Sequence, residues 1–267
     1  MGVYANAIES YGLDGLKLDF IDSFWLEGKS LEPDARRDIS SLEEAVDELM
    51  SAVTATLTSI KPDVLIEFRQ SYVGPSIRKY GNMLRVGDCP DDAIQTRRGI
   101  VDLRFTSGST AVHSDMLMWN VNEPVETAAV QVASTLYSVP QISMLIHRLP
   151  SDHKKMLSFY LDFWREHRAV LLDGKLTADH PEICYSLVCS EKDGCAIFTA
   201  YSENLIPVKT EKAVAVNVTG RDFLVVENCG GKPYRIVNCM GEELEKGIAN
   251  ADLCRLSVPL CGMVFIG

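Results

Sequence analysis

The period of the hydrophobic pattern changes once along this chain of 267 residues, between about residue 170 and residue 180. Before that point, short apolar runs alternate with segments in which apolar residues recur with the helical period, a pattern typical of strands alternating with helices. After it, short strand-like runs follow one another with Gly, Asn and Asp turns between them. The pattern predicts an α/β unit over residues 1–175 and an antiparallel β-sandwich over 176–267, with "LLDG" at 171–174 as the boundary.

Five apolar runs in the first part predict strands of a parallel α/β sheet or barrel. The runs cover residues 15–20, 63–68, 82–88, 109–115 and 140–145. The clearest predicted helix covers 41–60, where Ser40 and Glu43 have the spacing of a capping box and Pro62 ends the pattern. Two further helices are predicted at 125–137 and 151–168.

The bulk composition excludes several classes of partner. A formal net charge of −11 argues against nucleic acid or an anionic membrane surface, since both favour clustered Lys and Arg. No apolar run approaches the roughly 18 residues that span a bilayer, and no secretory signal pattern is present at the start, so the chain is predicted to be cytoplasmic. The eight cysteines form no CxxC pair and are predicted to be reduced core thiols. No metal or organic cofactor is predicted.

The first four strand-like runs are apolar until their last positions and then become polar. Burying several unpaired charges together would cost several kcal/mol each, so a shared polar pocket at the carboxyl ends of the strands is the cheaper arrangement. The polar residues at or just after these strand ends are Lys17, Asp19, Glu67, Arg69, Gln70, Arg85, Asp88, His113 and Asp115.

Two of these residues, Asp19 and Asp88, suit glycoside hydrolysis. That reaction needs one carboxylate to attack the anomeric carbon and another carboxyl group to protonate the leaving oxygen. Lys17, on the same side of the strand as Asp19, is predicted to keep that aspartate ionised, and Arg85 is predicted to hydrogen-bond sugar hydroxyls. Trp119 is either a platform for a sugar ring or a core tryptophan.

The stretch "GLKLDF" at 15–20, followed by "RVGDCPDD" at 85–92, resembles glycoside hydrolase family 36 and its relatives in the α-galactosidase clan. The resemblance implies that Asp19 is the nucleophile and that Lys17 binds sugar hydroxyls. It also implies that Asp88 is the acid/base, with Asp91 as the second acidic residue of that segment.

The resemblance extends to "VHSDMLMW" at 112–119, which is similar to a histidine-containing strand of these barrels. The implied fold is a partial (β/α)8 TIM-type barrel of about five C-terminal strands, followed by the clan's C-terminal β-sandwich. Since the implied barrel then lacks its first strands, we expect this chain to be part of a longer enzyme or to be completed by a homo-oligomer. An open sheet with two unpaired edges is a liability.

Two departures from the family pattern affect the expected identity of the sugar more than the expected reaction class. Leu18 stands where the family has an aromatic residue, and "EFRQSYVGP" at 67–75 replaces a Cys-Ser-Gly-Gly type turn. Arg69 and Gln70 are therefore expected to make a different substrate contact.

The sequence thus predicts a retaining, exo-acting, α-galactosidase-like glycosidase that cleaves terminal α-linked sugars. Its two carboxyl groups should lie roughly 5 to 6 Å apart. Predicted substrate-binding residues are Lys17, Glu67, Arg69, Arg85, His113 and Trp119.

Two other functions stay open. One is a metal-dependent barrel in which Asp19, Glu67, Asp88 and either Asp115 or His113 bind Mg²⁺ or Zn²⁺, against which the charges of Lys17 and Arg85 argue. The other is an inactive glycosidase remnant that binds sugar.

Overall fold

The structure is a computed structural model that describes residues 2–25, 38–69 and 72–267. The chain divides into two compact units. The first consists of Met1–Gly87 with Thr106–Val112, and the second of Asp88–Phe105 with His113–Gly267. The assignment of 1–175 to a barrel part and 176–267 to a sandwich stays a prediction about domains.

Strands and helices alternate through the first part of the described chain. Strands β1 to β5 form one sheet in chain order, and the pairs β1–β2, β2–β3 and β4–β5 are parallel. This is the strand order of part of a (β/α)8 barrel, so the predicted fold class is confirmed. The elements are α1 (Gly2–Tyr11), β1 (Gly15–Lys17), α2 (Leu42–Ile60), β2 (Leu65–Arg69), β3 (Met83–Arg85), α3 (Ala93–Ser107), β4 (Ala111–Leu117), α4 (Val125–Ala133), β5 (Val139–Ile142) and α5 (Ser151–Asp173).

Helix α2 begins at Leu42, one residue later than predicted, and its cap is shifted by one residue as well. Ser41, in extended conformation, is the N-cap, and its Oγ accepts a hydrogen bond from the backbone N–H of Glu44 at 3.0 Å. The predicted pair, Ser40 with Glu43, is therefore wrong by one position. Both serines have a glutamate three residues later, so the sequence offers two equivalent boxes, and the start of the helix at Leu42 selects the second.

The strands of the first unit have one apolar face. Ile66, Phe68 and Leu84 are almost completely buried, as are Leu18 and Val86 just beyond their strands. Because side chains alternate along a strand, the intervening residues of β2 and β3 lie on the opposite face. That opposite face carries the charged residues.

The rest of the chain is a β-sandwich of two sheets. The larger has the order β13-β12-β15-β10-β8-β7-β6 and the smaller the order β14-β11-β9. Most pairs are antiparallel, although β8–β10 and β9–β11 are parallel. The strands are β6 (Lys175–Asp179), β7 (Leu187–Lys192), β8 (Cys195–Ala200), β9 (Leu205–Pro207), β10 (Lys212–Asn217), β11 (Leu224–Glu227), β12 (Pro233–Val237), β13 (Glu243–Ile248), β14 (Leu253–Leu256) and β15 (Met263–Ile266).

The sandwich core lies between its two sheets. Phe198 and Val264 of the larger sheet share one buried cluster with Ile206, Val226 and Leu256 of the smaller sheet. All eight cysteines lie within the described residues, and none of them is in a disulfide. Among the described residues, no helix is both long enough and apolar enough to cross a membrane.

Candidate active site

The strand register of the first unit lines up charged side chains in two rows. Lys17 of β1 is the register partner of Glu67 of β2, and Arg69 of β2 is the register partner of Arg85 of β3. Partners in register share a face of a sheet, and positions two apart on one strand share it too. These four residues therefore occupy one face of the sheet.

Asp19 lies just beyond β1, because the strand ends at Lys17 and not at residue 20 as predicted. Its carboxylate accepts hydrogen bonds from three groups. The Arg69 guanidinium binds it in bidentate fashion, with Nε 2.9 Å from Oδ1 and Nη2 2.7 Å from Oδ2. The Tyr72 hydroxyl donates to Oδ1 at 2.9 Å, and the backbone N–H of Phe20 lies 3.0 Å from the same oxygen.

These donors hold the pKa of Asp19 well below its ordinary value, at about 2. The hydrogen bond from Arg69 is the largest cause, desolvation opposes it, and Tyr72 and the Phe20 N–H lower the pKa further. The sequence predicts that Lys17 keeps Asp19 ionised. That prediction is wrong, because the main partner of the Asp19 carboxylate is Arg69. Lys17 Nζ lies 3.9 Å from Oδ2, whereas the Arg69 contact is a direct bidentate bond.

The residue after Asp19 has an unusual backbone. Phe20 adopts the left-handed conformation, with φ of 58°, although it is not a glycine. In this conformation the backbone nitrogen of Phe20 lies 3.0 Å from Asp19 Oδ1 and 3.0 Å from the Tyr72 hydroxyl oxygen. Left-handed backbone at a bulky residue costs free energy, so the surrounding contacts must compensate for it.

Glu67 and Arg85 are the buried members of the charged face. Glu67 is 6% exposed and Arg85 is 2% exposed, which is rare for either residue type. Gln70, predicted as a substrate contact beside Arg69, lies outside the described residues.

In the second unit, Asp88 is exposed and lies three residues after β3. The peptide group that follows Asp88 is anchored by Asp115, whose buried carboxylate accepts a hydrogen bond from the backbone N–H of Cys89 at 2.6 Å. Asp115 thus fixes the backbone beside the predicted acid/base.

His113 of β4 bonds to the neighbouring strand. Its Nδ1 lies 3.0 Å from the side-chain amide nitrogen of Gln141 on β5. Since an amide NH₂ only donates, Nδ1 accepts and the proton of the neutral ring is on Nε2.

Trp119 lies two residues beyond β4 and is half-buried. Its indole N–H donates to Nδ1 of His153 at 3.0 Å, and Nε2 of His153 lies 3.1 Å from the Glu123 carbonyl oxygen. One part of Trp119 is buried, as in a core tryptophan, and another part is accessible, as a platform for a sugar ring requires.

Three cavities lie in the β-sandwich, away from the predicted residues. Their volumes are about 230, 570 and 290 Å³, and residues between 177 and 267 line them. None of these three contains a predicted site residue. Within the described ranges, no group of three or more His, Cys, Asp or Glu side chains is placed to hold a metal ion.

Sequence reasoning missed Tyr72 and Gln141, which orient Asp19 and His113. Tyr72 stands in the stretch "EFRQSYVGP" that departs from the family pattern, and this departure was its one signal. Gln141 lies inside a strand-like run, and nothing in the sequence indicates that its side chain hydrogen-bonds to His113 on the neighbouring strand.

Solved structures with the same fold are glycoside hydrolases. The α-amylase from Geobacillus thermoleovorans complexed with acarbose superposes with a TM-score of 0.58 at 12% identity, covering 100% of this chain and 62% of that one. The α-galactosidase from Lactobacillus brevis gives 0.56 at 14% identity, covering 99% and 37%. The family 36 α-galactosidase from Geobacillus stearothermophilus in complex with raffinose gives 0.54 at 13% identity, covering 99% and 37%.

At these identities the likeness concerns the fold. The chain spans 37% to 62% of the length of these three structures. No protein-family model matches it, and no curated protein matches it.

Proposed function

We propose that the chain is part of a retaining, exo-acting glycoside hydrolase of the α-galactosidase type that cleaves terminal α-linked sugars. The observation that carries the proposal is the state of Asp19. A carboxylate nucleophile must be ionised and correctly oriented, and Asp19 has a bidentate guanidinium, a phenol and a backbone N–H directed at its two oxygens. The glycosidase fold of the neighbours supports the reaction class.

In the proposed reaction, Asp19 attacks the anomeric carbon and forms a glycosyl-enzyme ester. The bond between that carbon and the leaving oxygen breaks, and Asp88 gives its proton to the leaving oxygen. Asp88 then removes a proton from water, the resulting hydroxide attacks the anomeric carbon, and the Asp19 carboxylate is released. Two inversions give net retention.

The charged face around Asp19 supplies donors and acceptors for sugar hydroxyls. In the proposal, Lys17, Arg69 and Arg85 donate to hydroxyl oxygens and Glu67 accepts from hydroxyl groups. His113 donates through the N–H on Nε2, and Trp119 contacts a ring face. The substrate is a terminal α-galactoside or a related sugar.

Azide rescue with p-nitrophenyl α-galactoside and α-glucoside tests both carboxylates. Asp19→Ala should abolish hydrolysis, and added azide should restore cleavage with a β-glycosyl azide as product, because azide enters from the face that the nucleophile vacates. Asp88→Ala should instead give the α-glycosyl azide, because azide then attacks the glycosyl-enzyme. NMR of the products distinguishes the two anomers.

A nearby aspartate outside the proposed machinery serves as the matched control. Asp14, just before β1, is paired with Lys61. Asp14→Ala should hydrolyse the substrates like the parent chain. Release of p-nitrophenol that is unchanged in Asp19→Ala would refute the proposal.

A second candidate is a sugar-binding protein without turnover. The exposure of Asp88 favours it, since proton transfer to a leaving group is promoted by a site from which water is excluded. In that case calorimetric titration with methyl α-galactoside would detect binding, while no p-nitrophenol would be released under any condition.

A further inference from the structure

We propose that Trp119 is a stacking platform for a pyranose ring of the substrate and that His153 is the positioning residue that fixes the orientation of its indole. The inference rests on the proposed function and deepens it, because it names a specificity-determining surface of the same site. Neither His153 nor its bond to Trp119 is suggested by the sequence alone.

The hydrogen bonds define the protonation state of His153. An indole N–H is a donor only, so Nδ1 of His153 must accept the 3.0 Å bond from Trp119. The ring proton of the neutral imidazole is therefore on Nε2, where it is donated to the Glu123 carbonyl at 3.1 Å. Both ring nitrogens are satisfied at once, and only this tautomer satisfies both.

His153 is itself held rigidly. It is 1% exposed and lies in the first turn of α5, where its backbone N–H donates to the Asp152 carboxylate at 2.9 Å. A buried polar side chain with every hydrogen bond made is well fixed, because each alternative rotamer leaves a donor or acceptor unsatisfied. The indole that donates to it is fixed in turn, with the two rings tilted by 43° at a centroid distance of 6.5 Å.

The surroundings of Trp119 suit the apolar face of a sugar. Strands β4 and β5 are parallel and pair as far as Leu117 and Ile142, so the segments that follow them begin at the same end of the sheet. The residues that follow include the exposed apolar side chains Met118 and Leu145. Exposed apolar groups near a strand end favour the C–H face of a pyranose, while its hydroxyls project toward polar groups.

Steady-state kinetics on p-nitrophenyl α-galactoside separate positioning from chemistry. Trp119→Ala should raise KM by about tenfold and leave kcat unchanged, because ring stacking is made equally in ground and transition states. His153→Leu should raise KM by roughly threefold to tenfold through the lost hydrogen bond. His153→Asn should recover most of that loss, since its amide oxygen can accept from the indole where Nδ1 does.

His167→Leu is the matched control, because His167 lies on the same helix and packs against Phe163, with ring centroids 4.6 Å apart. It should keep the KM of the parent chain. Equal melting temperatures of His153→Leu and His153→Asn would show that the difference between them is not one of folding.

Fluorescence tests the platform without any turnover. The chain has three tryptophans, so the variant Trp25→Phe/Trp164→Phe reports on Trp119 alone. Methyl α-galactoside should quench its emission in this background, and the response should be lost in His153→Leu and retained in His153→Asn.

The outcomes separate this inference from the proposed function. Asp19-dependent hydrolysis with unchanged KM in Trp119→Ala and His153→Leu would overturn the inference and leave the function standing. Saccharide-dependent Trp119 emission without Asp19-dependent hydrolysis would support the platform and overturn the function. A loss of kcat and of melting temperature in both His153 variants would show a purely structural histidine and overturn its positioning role.

Discussion

At the scale of single residues, the central finding is that Arg69, more than Lys17, controls the charge of Asp19. The period of two along β1 correctly places Lys17 and Asp19 on one side from sequence alone. The partner that makes the direct bond comes from β2, and Tyr72 from the segment after it. Contacts of this kind depend on strand register, which the sequence does not specify residue by residue.

Removal of the Arg69 guanidinium should move the acid limb of activity. In Arg69→Met the pKa of Asp19 should rise from about 2 toward its ordinary 3.8. The acid limb of kcat/KM should therefore shift to higher pH, and kcat should fall because the carboxylate loses its orientation. Arg69→Lys should give an intermediate profile, since an ammonium keeps the charge without the bidentate bond.

We also expect Arg69→Met to change the pH dependence of the free energy of unfolding. The folded-state pKa of Asp19 is depressed, so its contribution to stability is present above the unfolded pKa of 3.8 and is lost as the pH falls toward about 2. Urea denaturation of Arg69→Met should show a smaller loss of stability across that acid window than the parent chain. An unchanged slope there would contradict the role given to Arg69.

At the scale of elements, helices with an apolar stripe were predictable and helices with a mixed stripe were not. The period of α2 is visible because Met50, Val53 and Leu57 are buried apolar residues on one side. Helix α3 was missed because polar Thr96 and Ser107 are buried on it together with Ile100. Its buried side therefore does not stand out as a hydrophobic pattern.

The sandwich strands show the same distinction. Strand β10 is buried along almost its whole length and was predicted, whereas β6, β9 and β13 were not. Strands β6 and β13 form the edges of the larger sheet and are mostly exposed, and β9 is a three-residue edge strand of the smaller sheet. An edge strand that is exposed or very short carries few apolar residues, so its hydrophobic pattern is weak.

The cap of α2 provides a test with its own internal control. Ser41→Ala should lower the free energy of unfolding by about 1 kcal/mol, because the Glu44 N–H loses its partner. Ser40→Ala should leave it unchanged, since Ser40 lies outside the cap. Chemical denaturation of the two variants compares them directly, and the opposite ranking would assign the capping box to Ser40.

The pairing of β1 with β2 depends on Gly15. A Cβ at this position would meet the Leu65 carbonyl oxygen and lie 2.6 Å from the Leu65 Cβ. Gly15→Ala should therefore destabilise the chain by about 2 kcal/mol and weaken the placement of Asp19 beyond the strand. Gly74→Ala is the control, because no atom lies within 4 Å of a Cβ there. Equal melting temperatures of the two variants would contradict the close approach.

At the scale of the whole molecule, the order of the five parallel strands was predictable, since short apolar runs alternate with helical patterns. The likeness to glycosidases agrees with the resemblance that the "GLKLDF" and "RVGDCPDD" stretches suggest.

The two outer strands of the parallel sheet lead to a prediction about association. In the described chain, β1 and β5 end the sheet, and a sheet edge offers unpaired backbone groups to another chain. We expect the isolated chain to self-associate in size-exclusion chromatography with light scattering, increasingly so at higher concentration. A cooperative monomer across the concentration series would count against completion of the barrel by a partner chain.

The division of β2 and β3 into two faces has a consequence for how such a molecule diversifies. Exchange of the exposed Lys17 alters the charged face, while Ile66, Phe68 and Leu84 continue to hold the backbone in place. Exchange of a buried charged residue such as Glu67 or Arg85 costs stability instead. A saturation library at Lys17 would therefore yield mostly folded variants, whereas one at Phe68 would yield mostly aggregates.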